Sequence, residues 1–283
     1  MTATARSLEL RSVAQGIADE LPSTVEEVVL TGSVSRGVAD EISDVEMLIV
    51  TEGEVDLGDC FLLAARCGVT DLGTWGEQGG PTQRVSGYRD AVPVELIWWS
   101  RAYADSALDS IFTGALTGSA DAIANGLALR TSGLLAQWQE RLRHYPDELA
   151  NAQIEAAALK WGGFHASGLL TLLRPGERLA LVEWLVDDAV RIVRIVFVLN
   201  RVWPPTLKRI ADRTATLTVK PDRLAERIAE ALTEPDPQRS LLAMAQLQAE
   251  TLALAPDGPN VERARKWIGE GRHILAHPTS PGR

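Results

Sequence analysis

The stretch Gly32-Ser33-Val34-Ser35-Arg36-Gly37-Val38-Ala39-Asp40-Glu41-Ile42-Ser43-Asp44-Val45-Glu46-Met47-Leu48-Ile49-Val50 decides how this chain reads. It opens on a glycine and a hydroxyl residue directly after an apolar run, Val28-Val29-Leu30. It ends in a second run that is apolar almost throughout, the pattern of a central strand covered on both faces. Two acids, Asp44 and Glu46, stand at the start of that strand. Side chains two residues apart on a strand share a face, so these carboxylates lie side by side. Acids at the mouth of a buried strand are costly unless paired or bound to a cation. Mg²⁺ suits them, because it prefers hard oxygen ligands and commonly takes one or two carboxylates plus the phosphates of a substrate. The Gly32-Ser33 turn, where backbone N–H groups can approach phosphate oxygens, supplies the other half. Together the two features imply a nucleoside triphosphate with its metal. A third acid, Glu95, lies alone within Val92-Pro93-Val94-Glu95-Leu96-Ile97-Trp98-Trp99, another segment that reads as a buried strand.

Gly32-Ser33, the loop with Ser35-Arg36-Gly37, the acid-x-acid of Ser43-Asp44-Val45-Glu46 and the later Glu95 resemble the signature of the nucleotidyltransferase superfamily that includes DNA polymerase beta. The chain is most similar to the bacterial small-molecule branch, the aminoglycoside and lincosamide nucleotidyltransferases. The resemblance implies that Asp44 and Glu46 hold Mg²⁺, two ions in the full complex. It implies that Gly32 and Ser33 seat the phosphates of ATP or another nucleoside triphosphate. Glu95 then either completes the metal ligands or acts as general base on an acceptor hydroxyl. Polymerase-like members carry aspartate at that place and several aminoglycoside-type members carry glutamate, as here; Glu46 in place of aspartate is a mild departure from the commonest pattern. The implied reaction moves a nucleoside monophosphate, AMP in the leading case, to a hydroxyl of an aminoglycoside-like or lincosamide-like molecule and releases pyrophosphate. Two other readings stay open: an antitoxin-type transferase modifying a partner protein or tRNA, and an inactive nucleotide-binding homologue.

Bulk properties narrow the field. At 283 residues the chain has room for two modest domains, and 46% apolar with 23% charged residues is an ordinary globular composition. The formal net charge of −10 is opposite in sign to the basic field of nucleic-acid binders, so a nucleic-acid partner is disfavoured and a cationic acceptor is suited. Cys60 and Cys67 lie two turns apart on one expected helix, too far to bridge; they fit a reducing cytoplasm and pack rather than react. The start of the sequence lacks a basic, then apolar, leader pattern, and Arg191 and Arg194 interrupt the longest apolar run, so no membrane span is expected. Oligomeric state is not legible.

The expected class is α+β. Helical spacing covers 8–21, strands 25–30 and the segment after Asp44, and a crossover helix 57–67. Strands 70–75 and 83–88 follow, and the latter turns through Arg89-Asp90-Ala91 into the Glu95 strand as a hairpin. Gly76-Glu77-Gln78-Gly79-Gly80-Pro81 reads as a surface loop near the cleft. After Trp99 no alternating segment stands out, and helices are expected over 101–112, 131–145, 146–173, 177–200, 223–232, 237–253 and 260–276. Strands first and helices afterwards give a mixed-sheet catalytic domain flanked by helices, 1–115, and an all-α helical bundle, 116–283, with substrates between them. In the helical part Arg201 and Lys208 flank Pro204-Pro205, either as phosphate ligands or as basic caps of a helix terminus. Arg36 has similar standing. Glu183, Asp187 and Asp188 read as solvated, His165 as core, and His273 with His277 as too few ligands for a metal. At least one of Trp98 and Trp99 should pack in the core.

Overall fold

The computed structural model describes residues 2–277 apart from 55, 76–80, 115–116 and 162–164. The chain forms two compact units, Met1–His144 and Tyr145–Arg283. In the first, α1 (Ala5–Glu20) begins where Thr4 accepts a hydrogen bond from the Ser7 N–H, and it buries Leu10, Ala14, Ile17 and Ala18. There follow β1 (Val25–Leu30), the single turn α2 (Gly32–Ser35), β2 (Val45–Thr51), α3 (Leu57–Arg66), β3 (Thr70–Gly73), β4 (Thr82–Arg89) and β5 (Val92–Ser100). The unit closes with α4 (Arg101–Phe112), α5 (Thr117–Ala124), β6 (Leu127–Arg130) and α6 (Leu134–Leu142).

The six strands form one mixed sheet in the order β3-β4-β5-β2-β1-β6. β2 and β5 run parallel, joined by the crossover through α3, and all other neighbours are antiparallel. Asp90 and Ala91, both at positive φ, make the tight β4–β5 turn. One face of the sheet presents Val28, Leu30, Val45, Met47, Ile49, Val94, Leu96 and Trp98 to α1 and α3 as an apolar core. Cys60 and Cys67 belong to this core as free thiols, and burial pushes the Cys60 thiol up to about 12, which leaves it inert as a nucleophile. Trp98 and Trp99 are both buried, and Trp99 meets Tyr103 edge-to-face at 5.2 Å.

One strand was not expected. Leu127–Arg130 pairs with β1 and extends the sheet, and the first compact unit ends at His144, whereas the change from strands to helices in the sequence suggested a division between 115 and 116. Four residues are too short to show an alternation, and they lie at the sheet edge where none is enforced.

The second unit is helical: α7 (Asp147–Leu159), a 3₁₀ segment (Ala166–Leu173), α8 (Arg178–Leu199), α9 (Ile210–Ala215), α10 (Leu224–Thr233), α11 (Pro237–Ala253) and α12 (Pro259–Ala276). The single helix expected over 146–173 is thus two segments, and His165 is exposed at the start of the 3₁₀ turn rather than packed in the core. Leu181, Leu185 and Ile192 of α8, Met244 and Leu247 of α11, and Val261 and Ile268 of α12 are buried, and Trp184 stacks on Trp267 at 6.3 Å. The α+β class expected from the sequence is the one the chain adopts: a mixed sheet flanked by helices, then a helical region. Among the described residues, no helix is long and apolar enough to cross a membrane.

Asp188 corrects the solvated reading of its acidic neighbourhood. It is buried in the helical unit and accepts a 2.7 Å hydrogen bond from Trp161 Nε1, whereas Asp187 faces outward to Arg191. Burial pushes Asp188 up to about 7, against the opposing effect of the Trp161 hydrogen bond. A raised carboxyl means that the folded chain holds its proton where the unfolded chain, with an ordinary value of 3.8, has released it. This contribution to stability is therefore full below about 4 and lost as the pH rises to about 7. Denaturant unfolding of wild type and Asp188→Asn across that range is expected to show wild type losing stability relative to the variant as pH rises, then running parallel above it.

Candidate active site

The parallel pairing of β2 with β5 sets Glu46 directly opposite Glu95, and Asp44 immediately precedes β2. Because directly paired residues share a face, both glutamates project from the side opposite the α1–α3 core. Asp44, Glu46 and Glu95 each offer a carboxylate oxygen within 4.8 Å of the others, and all three are half-buried. Among the described residues, no other group of three His, Cys, Asp or Glu converges in this way. The donor set is entirely carboxylate oxygen, which fits Mg²⁺ rather than a softer ion.

Gly32 lies against the same group of carboxylates. It has φ of +69°, and a Cβ added there would land on the Glu46 carboxylate, with its Cδ at 2.9 Å. Glycine is therefore required twice, for the left-handed backbone and for the room that the carboxylate occupies. The Thr31 N–H donates to the Glu46 carbonyl at 2.8 Å, tying the end of β1 to the acid-bearing rung of β2. Ser33 is half-buried in the following turn, whose first N–H groups have no intrahelical acceptor. The loop from α2 to Asp44 is folded by a Ser43 hydroxyl that donates to Asp40 Oδ1 at 2.8 Å and accepts from the Asp40 N–H at 2.9 Å.

Helix α1 braces that loop, which the sequence reading missed. Thr4 Oγ1 donates to the Ala39 carbonyl at 2.8 Å, the Ala39 N–H donates to Ser7 Oγ at 2.9 Å, and Arg11 donates to the carbonyls of Val34 and Ser35 at 3.1 and 2.9 Å. No local pattern announces such contacts, because the partners are distant in sequence. Arg36 Nη1 lies 3.6 Å from Asp121 Oδ2 on α5.

Glu27 was missed as well. It is fully buried on β1, and its Oε2 accepts from the Ser132 N–H at 2.8 Å, the Ser132 hydroxyl at 3.1 Å and the Leu134 N–H at 3.2 Å. It caps α6 from across the sheet, in the place of the local side chain that a helix start normally provides. An acid inside an apolar strand was the signal for Glu95; Glu27 carries the same signal and serves an anchoring role.

The remaining expected ligands lie in the second unit. Arg201 follows α8 and donates to Asp147 Oδ1 at 2.8 and 2.7 Å and to the Val198 carbonyl at 2.9 Å. Lys208 is exposed between α8 and α9. The glycine-rich loop near the expected cleft lies at residues 76–80, outside the described residues.

A family model described as a domain of unknown function, DUF4037, matches residues 121–209. No curated protein matches the chain. Among solved structures, the chain is similar to a nucleotidyltransferase-like protein from Exiguobacterium sibiricum 255-15, at 12% identity and a TM-score of 0.41, over 93% of this chain and 78% of that one. It is also similar to Cid1 in complex with the UTP analogue UMPNPP, at 10% identity and a TM-score of 0.29, over 99% of this chain and 91% of that one.

Proposed function

We propose that the chain transfers a nucleoside monophosphate from a nucleoside triphosphate, ATP in the leading case, to a hydroxyl group of a small molecule, releasing pyrophosphate. The observation that carries this reading is the convergence of Asp44, Glu46 and Glu95, the two glutamates on one rung of a parallel strand pair and Asp44 just before it, against a glycine at which a Cβ would displace the Glu46 carboxylate. The first unit, Met1–His144, is then the catalytic one. Asp44 and Glu46 would hold Mg²⁺, with Glu95 within reach of the same ions. Bound Mg²⁺ supplies electrostatic stabilisation of the reacting phosphate and of the leaving pyrophosphate. Gly32 and Ser33 leave room for phosphate oxygens beside the acids, and Arg36 lies on the same loop to offset their charge. Glu95 takes the proton of the acceptor hydroxyl, and the brace from α1 keeps the phosphate turn in place while this happens.

The starting set of acceptors is aminoglycoside-like and lincosamide-like compounds, and two buried free thiols suit a reducing cytoplasm. The test is a calorimetric titration of each nucleoside triphosphate with and without Mg²⁺, followed by a screen of hydroxyl compounds read by mass shift. Wild type is expected to bind a triphosphate only with Mg²⁺, and Asp44→Asn to bind it about tenfold or more weakly, the cost of removing one charged ligand. Unchanged affinity in Asp44→Asn would contradict the metal role.

A further inference from the structure

The sheet order divides the surroundings of the acid trio into two sides. β1 and the Gly32–Ser33 turn lie on one side of β2, and β4 with β3 lies on the far side of β5, the strand that carries Glu95. If the phosphates take the β1 side, as proposed above, the acceptor reaches Glu95 from the β4 side. On β4, Ser86 is paired with Glu95 and Arg84 with Ile97, so Ser86 and Arg84 share the face of the acids.

Arg84 is the unexpected residue there. Its guanidinium carbon sits 4.8 Å from the ring centroid of Trp75, a residue that is 44% exposed. Thr74 Oγ1 donates to the Arg84 carbonyl at 2.8 Å and fixes the backbone beneath the pair. Arg84 Nε is buried and has no hydrogen-bond partner among the described residues, and among those residues Arg84 forms no ion pair. In a chain of net charge −10, with 38 acids against 28 cations, an arginine set on an aromatic ring with no carboxylate partner among the described residues is a donor group suited to an anionic ligand. The guanidinium edge is a planar fork whose geometry matches carboxylate and phosphate oxygens.

We propose that Arg84 and Trp75 form an anion subsite for the acceptor. The molecule that presents its hydroxyl to Glu95 carries a carboxylate or phosphate group, which pairs with the Arg84 fork along the Trp75 ring. In the transfer, the acceptor oxygen forms a bond to the α-phosphorus, the bond from that phosphorus to the pyrophosphate oxygen breaks, and the hydroxyl proton goes to Glu95. The subsite rests on the transfer reading of the acid trio, and it replaces the cationic acceptor that overall charge suggested with an anionic one.

Calorimetry tests the subsite without turnover. Glycerol 3-phosphate and 4-hydroxybenzoate are titrated into the full chain with Mg²⁺ and a non-hydrolysable ATP analogue, against the uncharged counterparts glycerol and phenol. At least one charged probe is expected to bind more tightly than its counterpart, and which one does so separates phosphate from carboxylate. Arg84→Ala is expected to weaken that binding about tenfold to a hundredfold, with Arg84→Lys recovering part of it and Trp75→Ala losing less. Equal binding of charged and uncharged probes, or Arg84→Ala binding as wild type does, overturns the subsite. Pyrophosphate release is then measured with anionic, neutral and cationic hydroxyl compounds. Release with anionic compounds, at a KM that rises in Arg84→Ala with little change in kcat, supports the subsite, and release with cationic compounds alone overturns it while leaving the transfer reading intact. Release with no compound counts against the transfer reading, and the calorimetry still decides whether Arg84 takes an anion.

Discussion

Glu95→Gln is expected to lower turnover about 10²- to 10⁴-fold and to leave nucleotide affinity little changed, the loss typical of removing a general base. Glutamine keeps the length and shape of the side chain on the β5 rung opposite Glu46, so the strand pair is undisturbed. It cannot take a proton from the acceptor hydroxyl. Single-turnover transfer rates, compared with the concentration of Mg²⁺ needed for half-maximal nucleotide binding, separate the two roles open to this residue. A slower chemical step at an unchanged Mg²⁺ requirement marks a base, and a raised Mg²⁺ requirement marks a ligand. Turnover near that of wild type would remove Glu95 from the chemistry.

The second large effect is expected for Gly32→Ala, and a control makes it decisive. Gly32 and Gly68 share the same φ, +69°, so an alanine at either position bears a comparable left-handed backbone penalty of roughly 1–2 kcal/mol. Their surroundings differ. A Cβ at Gly68 meets nothing nearer than Arg89 Nε at 4.0 Å, and one at Gly32 displaces the Glu46 carboxylate. A carboxylate at the end of a flexible side chain moves aside at small cost in stability. A shift of about an ångström at a reacting centre, however, costs on the order of 10²-fold in rate. Both variants should therefore lose similar stability in denaturant unfolding, with transfer activity falling about 10²-fold or more in Gly32→Ala alone. Equal activity in the two variants would show that the Glu46 carboxylate has no fixed position to lose.

The parts of the site legible in the sequence were those written locally. Asp44 and Glu46 are two residues apart at the mouth of an apolar run, and Glu95 is a single acid inside another, so strand periodicity placed each on a definite face. The pairing that unites them is a long-range fact, yet the parallel β2–β5 ladder follows from a helix standing between two buried strands. The hidden parts depend on partners far along the chain. The hydrogen bonds from Arg11 to the carbonyls of Val34 and Ser35 leave no local trace. Glu27 drew no notice because its three donors come from residues more than a hundred positions later. β6 escaped notice because four edge residues need no alternation. Asp188 was read as solvated because its helix carries charge on both flanks, and only the packed fold brings the Trp161 indole to it.

Glu46 and Glu95 meet on a single rung, although the crossover through α3 and the β3–β4 pair intervenes between them in the chain. Residues added to or deleted from the connections of that crossover leave the rung where it is. One residue inserted between Val45 and Glu46, by contrast, turns the second carboxylate to the apolar side of the sheet. Loop-length variation across the crossover should thus be well tolerated by the chemistry, and the same change inside β2 not at all.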